Sequence, residues 1–259
     1  MPGDQASPPR RVAVVTGGSR GIGAATARAL ASSGWDICLG YRVEAEAARI
    51  VVADCVGLGG RALAVALDVA DDRSVAALFA ELDARWPGAD ALGALVNCAG
   101  IVAPPSRVED MDAARVTRML AVNVTGTLLC AGMAVRRMSR RHGGGGGVIV
   151  NVSSAASRLG SPGEYVDYAA SKGAVDTLTI GLAKEVADEG IRVVAVRPGL
   201  IETDIHASGG QPDRLERLRT QIPMQRVGHP DEVAATIAWL CSDAASYVTG
   251  AILDVSGGR

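Results

Sequence analysis

Arg11-Val12-Ala13-Val14-Val15-Thr16-Gly17-Gly18-Ser19-Arg20-Gly21-Ile22-Gly23 is the stretch that decides how this chain folds. Its first half is a short, continuous apolar run, as expected of a strand buried on both faces of a parallel sheet. Glycines then crowd a turn, and an alanine-rich helical pattern follows to about Ser33-Gly34. In a strand, glycine-rich turn and helix, backbone can approach a pyrophosphate held at the positive helix N-terminus. The spacing is G-x-x-x-G-x-G, not the more usual G-x-G-x-x-G. Gly17, Ser19, Arg20, Gly21, Ile22 and Gly23 are the candidate contacts of this turn.

Outward from the turn, strands and helices alternate. Strands are expected at 36–41, 62–67, 94–96, 148–152, 192–196 and 252–255, with helical patterns between them. Residues 112–141 read as one long helix with Asn123 near its middle, and 168–188 and 231–241 as two more. Gly143 to Gly147 reads as a flexible connector, and 203–222 as a mobile flap. This alternation predicts an α/β chain with a single-domain Rossmann fold, a doubly wound seven-stranded parallel sheet flanked by helices, over residues 11–259. Residues 1–10, polar and proline-rich, read as a disordered tail.

Composition narrows the function. Hydrophobic residues are 48% of the chain and aromatics 3%, so the core is built mainly from Ala, Val, Leu and Ile. A formal net charge of −2 offers no basic excess for nucleic acid. No apolar run reaches the roughly 18 residues of a membrane-crossing helix, so no membrane partner is expected. The 5 cysteines are scattered and never in a C-x-x-C pair, and the 3 histidines are dispersed. The reading is a reduced cytoplasmic protein without a metal site.

The second strand ends in Tyr41-Arg42, where an NAD-selective site would carry a carboxylate for the ribose 2′-hydroxyl. Arg20 and Arg42 converging on a 2′-phosphate would favour NADP(H), because guanidinium matches phosphate bidentately. The alternative is that Arg42 is a solvated loop charge and Glu44 does the acid's work, which would make the cofactor NAD(H). Asp68-Val69 closes the third strand, where Asp68 either meets an adenine amino group or caps the residues after it. Asn97-Cys98-Ala99-Gly100 closes the fourth with small residues that let backbone pass close to a ribose.

Tyr168-Ala169-Ala170-Ser171-Lys172 places a phenol and an ammonium four apart, on one helix face. A free tyrosine titrates near about 10, and a nearby positive charge lowers it toward the range of efficient proton transfer. Ser153-Ser154 ends the fifth strand, at the edge where open sheets bind ligands. Ser154 is the favoured hydroxyl of the two. Tyr165 also lies near, but its position plus four is Ala169, so only Tyr168 has a lysine partner.

At this point the chain resembles a short-chain dehydrogenase/reductase, of the subgroup containing 3-oxoacyl-carrier-protein reductases. The resemblance covers about residues 11–258 and rests on motifs in order. They are T-G-x-x-x-G-x-G (16–23), N-x-A-G (97–100), N-V-x-G (123–126), S-S (153–154), Y-x-x-x-K (168–172), P-G (198–199) and Tyr247-Val248-Thr249-Gly250. The resemblance implies Tyr168 as proton donor and Lys172 as the group that lowers its pKa and holds the nicotinamide ribose. It implies Ser154 as the hydroxyl polarising the substrate carbonyl and Asn123 as the holder of a relay water. Gly17, Gly21 and Gly23 match the pyrophosphate turn, Asp68 the adenine contact, and Asn97 the wall beside the adenosine ribose. Val69, Ala99 and Gly100 complete that wall, and Pro198, Gly199, Ile201 and Thr203 lie toward the carboxamide. Two features depart from the family pattern: Cys98 stands where Asn is usual, and the loop before Tyr168 is one residue longer than usual, with fourteen positions from Ser154 to Tyr168.

The implied activity is NADP(H)-dependent hydride transfer between nicotinamide and a small carbonyl or alcohol, such as a 3-oxoacyl thioester on an acyl carrier protein. Arg136, Arg137, Arg140 and Arg141, with Lys184, would form a basic landing patch for such a carrier, or simply a solvated helix end. The alternatives are a sugar, polyol or other small-alcohol dehydrogenase, and a regulatory protein that binds cofactor without catalysis. Family members commonly form homotetramers through the helices 112–141 and 168–188 and the last strand.

Overall fold

The computed structural model describes residues 10–88 and 91–259; the expected tail lies outside the described residues, apart from Arg10. In chain order the elements are β1 (Val12–Thr16), α1 (Gly21–Ser32), β2 (Asp36–Tyr41), α2 (Ala45–Gly57), β3 (Ala62–Ala66), α3 (Asp72–Arg85) and β4 (Leu92–Asn97). There follow α4 (Ala113–Leu120), α5 (Gly126–Met138), β5 (Gly147–Val152), α6 (Ala156–Leu159), α7 (Val166–Glu185) and β6 (Ile191–Pro198). The chain closes with α8 (Ile205–Ser208), α9 (Arg214–Leu218), α10 (Pro230–Leu240) and β7 (Ile252–Val255). The strands form one seven-stranded sheet in the order β3-β2-β1-β4-β5-β6-β7, parallel throughout.

Alternate residues of each strand feed two cores. Ala13, Val15, Ile37, Leu39, Val96 and Val150 pack against Leu30 of α1, Val51 of α2 and Ile237 of α10. Val12, Val14, Cys38, Leu95, Ile149 and Val193 pack against Phe79 of α3, Ala134 and Met138 of α5 and Ala183 of α7. Helices cover both faces, which is why the strands carry no polar alternation. The strand order reverses between β1 and β4, and that switch point opens a crevice at the carboxyl ends of the strands.

The expected helix 112–141 is divided. Between α4 and α5 the chain winds as a π turn over Ala121–Thr125, carrying Asn123, and the α-helix ends at Met138. By length and composition Ala113–Met138 is apolar enough to cross a membrane; here Met119, Val122, Cys130 and Ala134 are buried within the fold. One other expectation is corrected. The Gly143–Gly147 stretch is pinned, because Gly144 N donates to Ser139 O and Gly146 N to Met138 O. A Cβ on Gly144 would lie 2.2 Å from the Arg137 carbonyl oxygen, so the glycines serve close packing. The 203–222 flap is largely built from α8, α9 and a 3-10 turn at Arg219–Gln221.

The basic cluster also lies at the wrong edge for the role given it. α5 and α7 run back from the carboxyl edge, so Arg136–Arg141 and Lys184 gather where β5 and β6 begin; Arg140 N donates to Glu189 O. A helix of α5's length, 13 residues, spans about 20 Å. The patch therefore sits a sheet's height from the crevice. Arg137 is tied to Asp83 at 2.6 Å and lies over the Phe79 ring.

Candidate active site

β1 delivers the glycine turn to the switch point. Thr16 Oγ1 accepts from Cys98 N and Ala99 N, both at 3.1 Å, tying the turn to the end of β4. Gly17 has φ +65°, and a Cβ there would lie 2.9 Å from Ala99 Cα, so a left-handed residue with no side chain is required. A Cβ on Gly23 would lie 2.2 Å from Gly17 O. Arg20 precedes α1 without a side-chain capping bond to that helix. Donors at a helix start beside a glycine cradle fit an anionic pyrophosphate.

A cleft of about 760 Å³ runs along this edge. Gly17, Ser19, Arg20, Gly21, Ile22 and Gly23 line one end, with Tyr41, Arg42, Asp68 and Val69 beside them. Ala99, Gly100, Pro198, Gly199, Ile201 and Thr203 line the middle, and Ser154, Tyr168 and Lys172 the other side. Arg20 and Arg42 are exposed. Asp68 takes the capping use: Oδ1 accepts from Ala70 N at 3.0 Å, while Oδ2 stands 3.5 Å from Arg118 Nη2.

Asn97 and Asn123 are not on the cleft wall. The Asn97 side chain is buried and donates to Asn151 Oδ1 at 2.9 Å, holding β4 to β5; Cys98 and Ala99 take its place as wall. Asn123 is fully buried. Its Oδ1 accepts from Ile101 N at 2.9 Å, and its Nδ2 donates to Ile101 O and to Ser171 Oγ, both at 3.0 Å. It therefore fastens the loop after β4 to α7. The π turn supplies the extra residue that aims it inward, a use of π-bulges common at functional sites.

α7 starts two residues before Tyr168, so the tyrosine lies in its first turn and Lys172 one turn on. Ser154, held by its bond from Ala156 N at 3.1 Å, faces the Tyr168 phenol and lowers its pKa. Ser153 points away, donating to Lys172 O at 3.2 Å, which separates the roles of the two serines. Lys172 Nζ donates to Val152 O at 2.7 Å and lies 5.8 Å from the Tyr168 ring centroid.

The electrostatics correct one expectation. Burial pushes the Tyr168 phenol above its usual value, while Ser154, and more weakly Arg214, pull it back down. Lys172 is not among the causes of that shift, and burial lowers its own ammonium to about 8, opposed by Cys98 and Asp176. The Cys98 thiol is pushed up to about 11 by burial, so it is protonated and inert as a nucleophile.

Sequence reasoning missed the far wall of the cleft. Tyr165 is buried, its hydroxyl accepting from Gln211 Nε2, and Arg214 lies 4.7 Å over its ring. Glu164, Arg214, Leu218 and Arg259 complete that wall. No local spacing signals them, since they come from three separate segments.

A doubly wound parallel sheet with a glycine cradle at its switch point, and a Ser-Tyr-Lys set facing it, defines a dinucleotide-binding oxidoreductase class. The family model described as Enoyl-(Acyl carrier protein) reductase matches residues 17–259. The chain is 53% identical to the uncharacterized oxidoreductase YgfF of Escherichia coli (strain K12), over 96% of this chain and 99% of that one. Among solved structures, a short chain dehydrogenase from Burkholderia cenocepacia J2315 in complex with NADP superposes with TM-score 0.86 at 33% identity. That match covers 96% of this chain and 97% of that one. A 3-ketoacyl-(acyl-carrier-protein) reductase from Brucella melitensis complexed with NADH gives TM-score 0.87 at 33% identity, over 96% and 98%. The chain belongs to the short-chain dehydrogenase/reductase family and is an oxidoreductase of that family.

Proposed function

We propose that this protein is an NADP(H)-dependent oxidoreductase that interconverts a carbonyl and the corresponding alcohol. The observation that carries the reading is the Ser154 hydroxyl set beside the Tyr168 phenol, with Lys172 behind the ring, opening on the same cleft as the glycine turn. Bound nicotinamide cofactor supplies or accepts the hydride. The residues that would hold it are Gly17, Ser19, Gly21, Ile22 and Gly23 at the pyrophosphate, with Asp68, Val69, Ala99 and Gly100 along the adenosine side. Lys172, Pro198, Gly199, Ile201 and Thr203 would meet the nicotinamide end.

In the reduction direction, the substrate oxygen lies between Ser154 and Tyr168 and accepts hydrogen bonds from both hydroxyls. As negative charge grows on that oxygen, Tyr168 transfers its phenolic proton to it; in oxidation the same proton returns. Preorganised donors at a developing oxyanion are typically worth about 3–4 kcal/mol each. Lys172 holds positive charge near the phenol, and Asn123 keeps the loop and α7 in place. Arg20 and Arg42 support NADP(H) over NAD(H): among the described residues neither forms an ion pair, and both line the adenosine end. Glu44 shares that rim and is the group an NAD-selective reading would use.

A 3-oxoacyl thioester is the second substrate reading, supported by the likeness to the Brucella reductase; the distant basic cluster lends it nothing. Leu159, Pro162, Tyr165 and Leu218 make an apolar substrate wall, which speaks against a sugar or polyol. Exposed Leu120, Leu128, Val166 and Ile180 on α4, α5 and α7 support a homotetramer built on those helices. The free cysteines support a reducing, cytoplasmic setting.

The test follows consumption of NADPH and of NADH with simple ketones, diketones and acetoacetyl thioesters, and the reverse reaction with alcohols and sugars. NADPH is expected to be consumed with a ketone or thioester, about tenfold or more better than NADH. Cofactor binding without turnover in either direction would overturn the reading in favour of a non-catalytic protein.

A further inference from the structure

We propose that the substrate carries a carboxylate, received at Arg259 on the cleft wall that also holds Arg214, while its carbonyl or alcohol lies at Ser154 and Tyr168. This rests on the oxidoreductase reading and names the substrate class. Arg214 and Arg259 both line the cleft that contains Ser154 and Tyr168. Three guanidinia, those of Arg214, Arg217 and Arg259, face one carboxylate between them, Glu164. Arg214 Nη1 takes Glu164 Oε2 at 2.5 Å and Arg217 Nη2 takes Oε1 at 3.2 Å. Arg214, with only 12% of its side chain exposed, is further clamped over the Tyr165 ring.

That leaves Arg259. Its Nη2 stands 3.5 Å from Gln221 Oε1, and among the described residues its side chain forms no ion pair. Its own main-chain oxygen is taken by Arg158 Nη2 at 3.0 Å and by Ser256 Oγ at 2.7 Å. Burial and the like charge of Arg214 both act against its protonated guanidinium, with Glu164 opposing them. Asp204 also lines the cleft, but it is exposed and no ion pair joins it to these arginines. Even with the main-chain carboxylate of Arg259, which Arg158 holds, set against them, the three guanidinia outnumber the carboxylates at this end and leave an excess of positive charge in a partly desolvated place. A neutral substrate would bury that excess further, whereas a carboxylate would neutralise it through the bidentate pairing a guanidinium favours. Between the two ends the wall is Leu159, Pro162 and Leu218. The substrate class is thus an oxo acid or hydroxy acid with an apolar spacer between its two functional groups.

The experiment compares linear oxo acids, levulinate and its longer homologues, with their methyl esters, which keep shape and lose charge. In the wild-type protein at least one acid is expected to exceed its ester in kcat/KM by roughly 10- to 100-fold, the scale of a charge-assisted hydrogen-bonded pair. In R259Q the acid-to-ester ratio is expected to fall to within about twofold of one. A parallel calorimetric titration reads binding of the acid without turnover, and R259Q is expected to weaken it by about the same factor. Equal handling of acid and ester by the wild type, or an R259Q variant that keeps the ratio, overturns the proposal. Acid binding that depends on Arg259 without turnover of any carbonyl would instead overturn the oxidoreductase reading and leave the carboxylate site standing.

Discussion

Tyr168→Phe removes one atom from the cleft, and the structure sets the size of the loss. The ring stays in the first turn of α7 beside Lys172, and Ser154 Oγ keeps its bond from Ala156 N, so the fold is expected to persist. Two functions leave with the phenol oxygen. One is a hydrogen bond to the developing oxyanion, where loss of a donor costs about 10²–10³ in rate. The other is proton transfer, worth about 10²–10⁴. Because a single atom performs both, the effects are not additive. The expected fall in kcat is about 10³–10⁵, or roughly 4–7 kcal/mol at about 1.36 kcal/mol per decade. The assay is single-turnover hydride transfer followed through reduced-nicotinamide absorbance, with a cofactor titration on the same variant. Cofactor is expected still to bind. Tyr165→Phe, which breaks only the bond from Gln211, is expected to cost less than about tenfold. A Tyr168→Phe variant within about tenfold of wild type would refute the assignment of the proton donor.

Four further outcomes are expected. Burial holds the Lys172 ammonium at about 8 against an ordinary value of 10.5, so the rate of carbonyl reduction should decline as pH rises through about 8 and the charge behind Tyr168 is lost. The same depression means that between about 8 and 10.5 the unfolded chain binds more proton than the folded one. The Lys172 contribution to unfolding free energy should therefore rise with pH across that window. It is read as the difference between wild type and Lys172→Met in denaturant titrations, because the buried cysteines, raised to about 11–12, act in the opposite direction there. Arg42→Ala should raise the KM for NADPH about tenfold while leaving that for NADH within about twofold, the loss of one exposed charge-assisted contact; an equal effect on both cofactors would count against the 2′-phosphate reading. Gly23→Ala must place its Cβ against Gly17 O, so it should cost about 1–3 kcal/mol of stability and weaken cofactor binding; an unchanged thermal midpoint with unchanged affinity would show that the cradle has room to spare.

Much of this protein was legible one residue at a time. Buried strands announce themselves as largely apolar runs, and Val12–Val15 and Asp36–Tyr41 fall where the pattern put them, because burial on both faces favours apolar side chains at most positions. Glycines whose φ is positive or whose Cβ would collide, Gly17 and Gly23, could be read as a cradle for the same local reason. The Tyr168–Lys172 pair was legible because helical spacing alone puts positions four apart on one face. What the linear pattern could not supply was direction and company. Asn123 points into Ile101 and Ser171 because a π turn adds a residue to the helix, and Asn97 turns to Asn151 because β4 lies beside β5. Burial, set by the whole fold, raises Tyr168 and lowers Lys172 against the trend their proximity suggested. The arginines near Lys184 were assigned by charge alone and lie at the far edge of the sheet, whereas Arg214 and Arg259 reach the cleft from α9 and the last residue of the sequence. Local periodicity and spacing are properties of a few consecutive residues and survive in the sequence. Electrostatic surroundings and the far wall of a site depend on contacts between distant segments, so only the tertiary structure decides them.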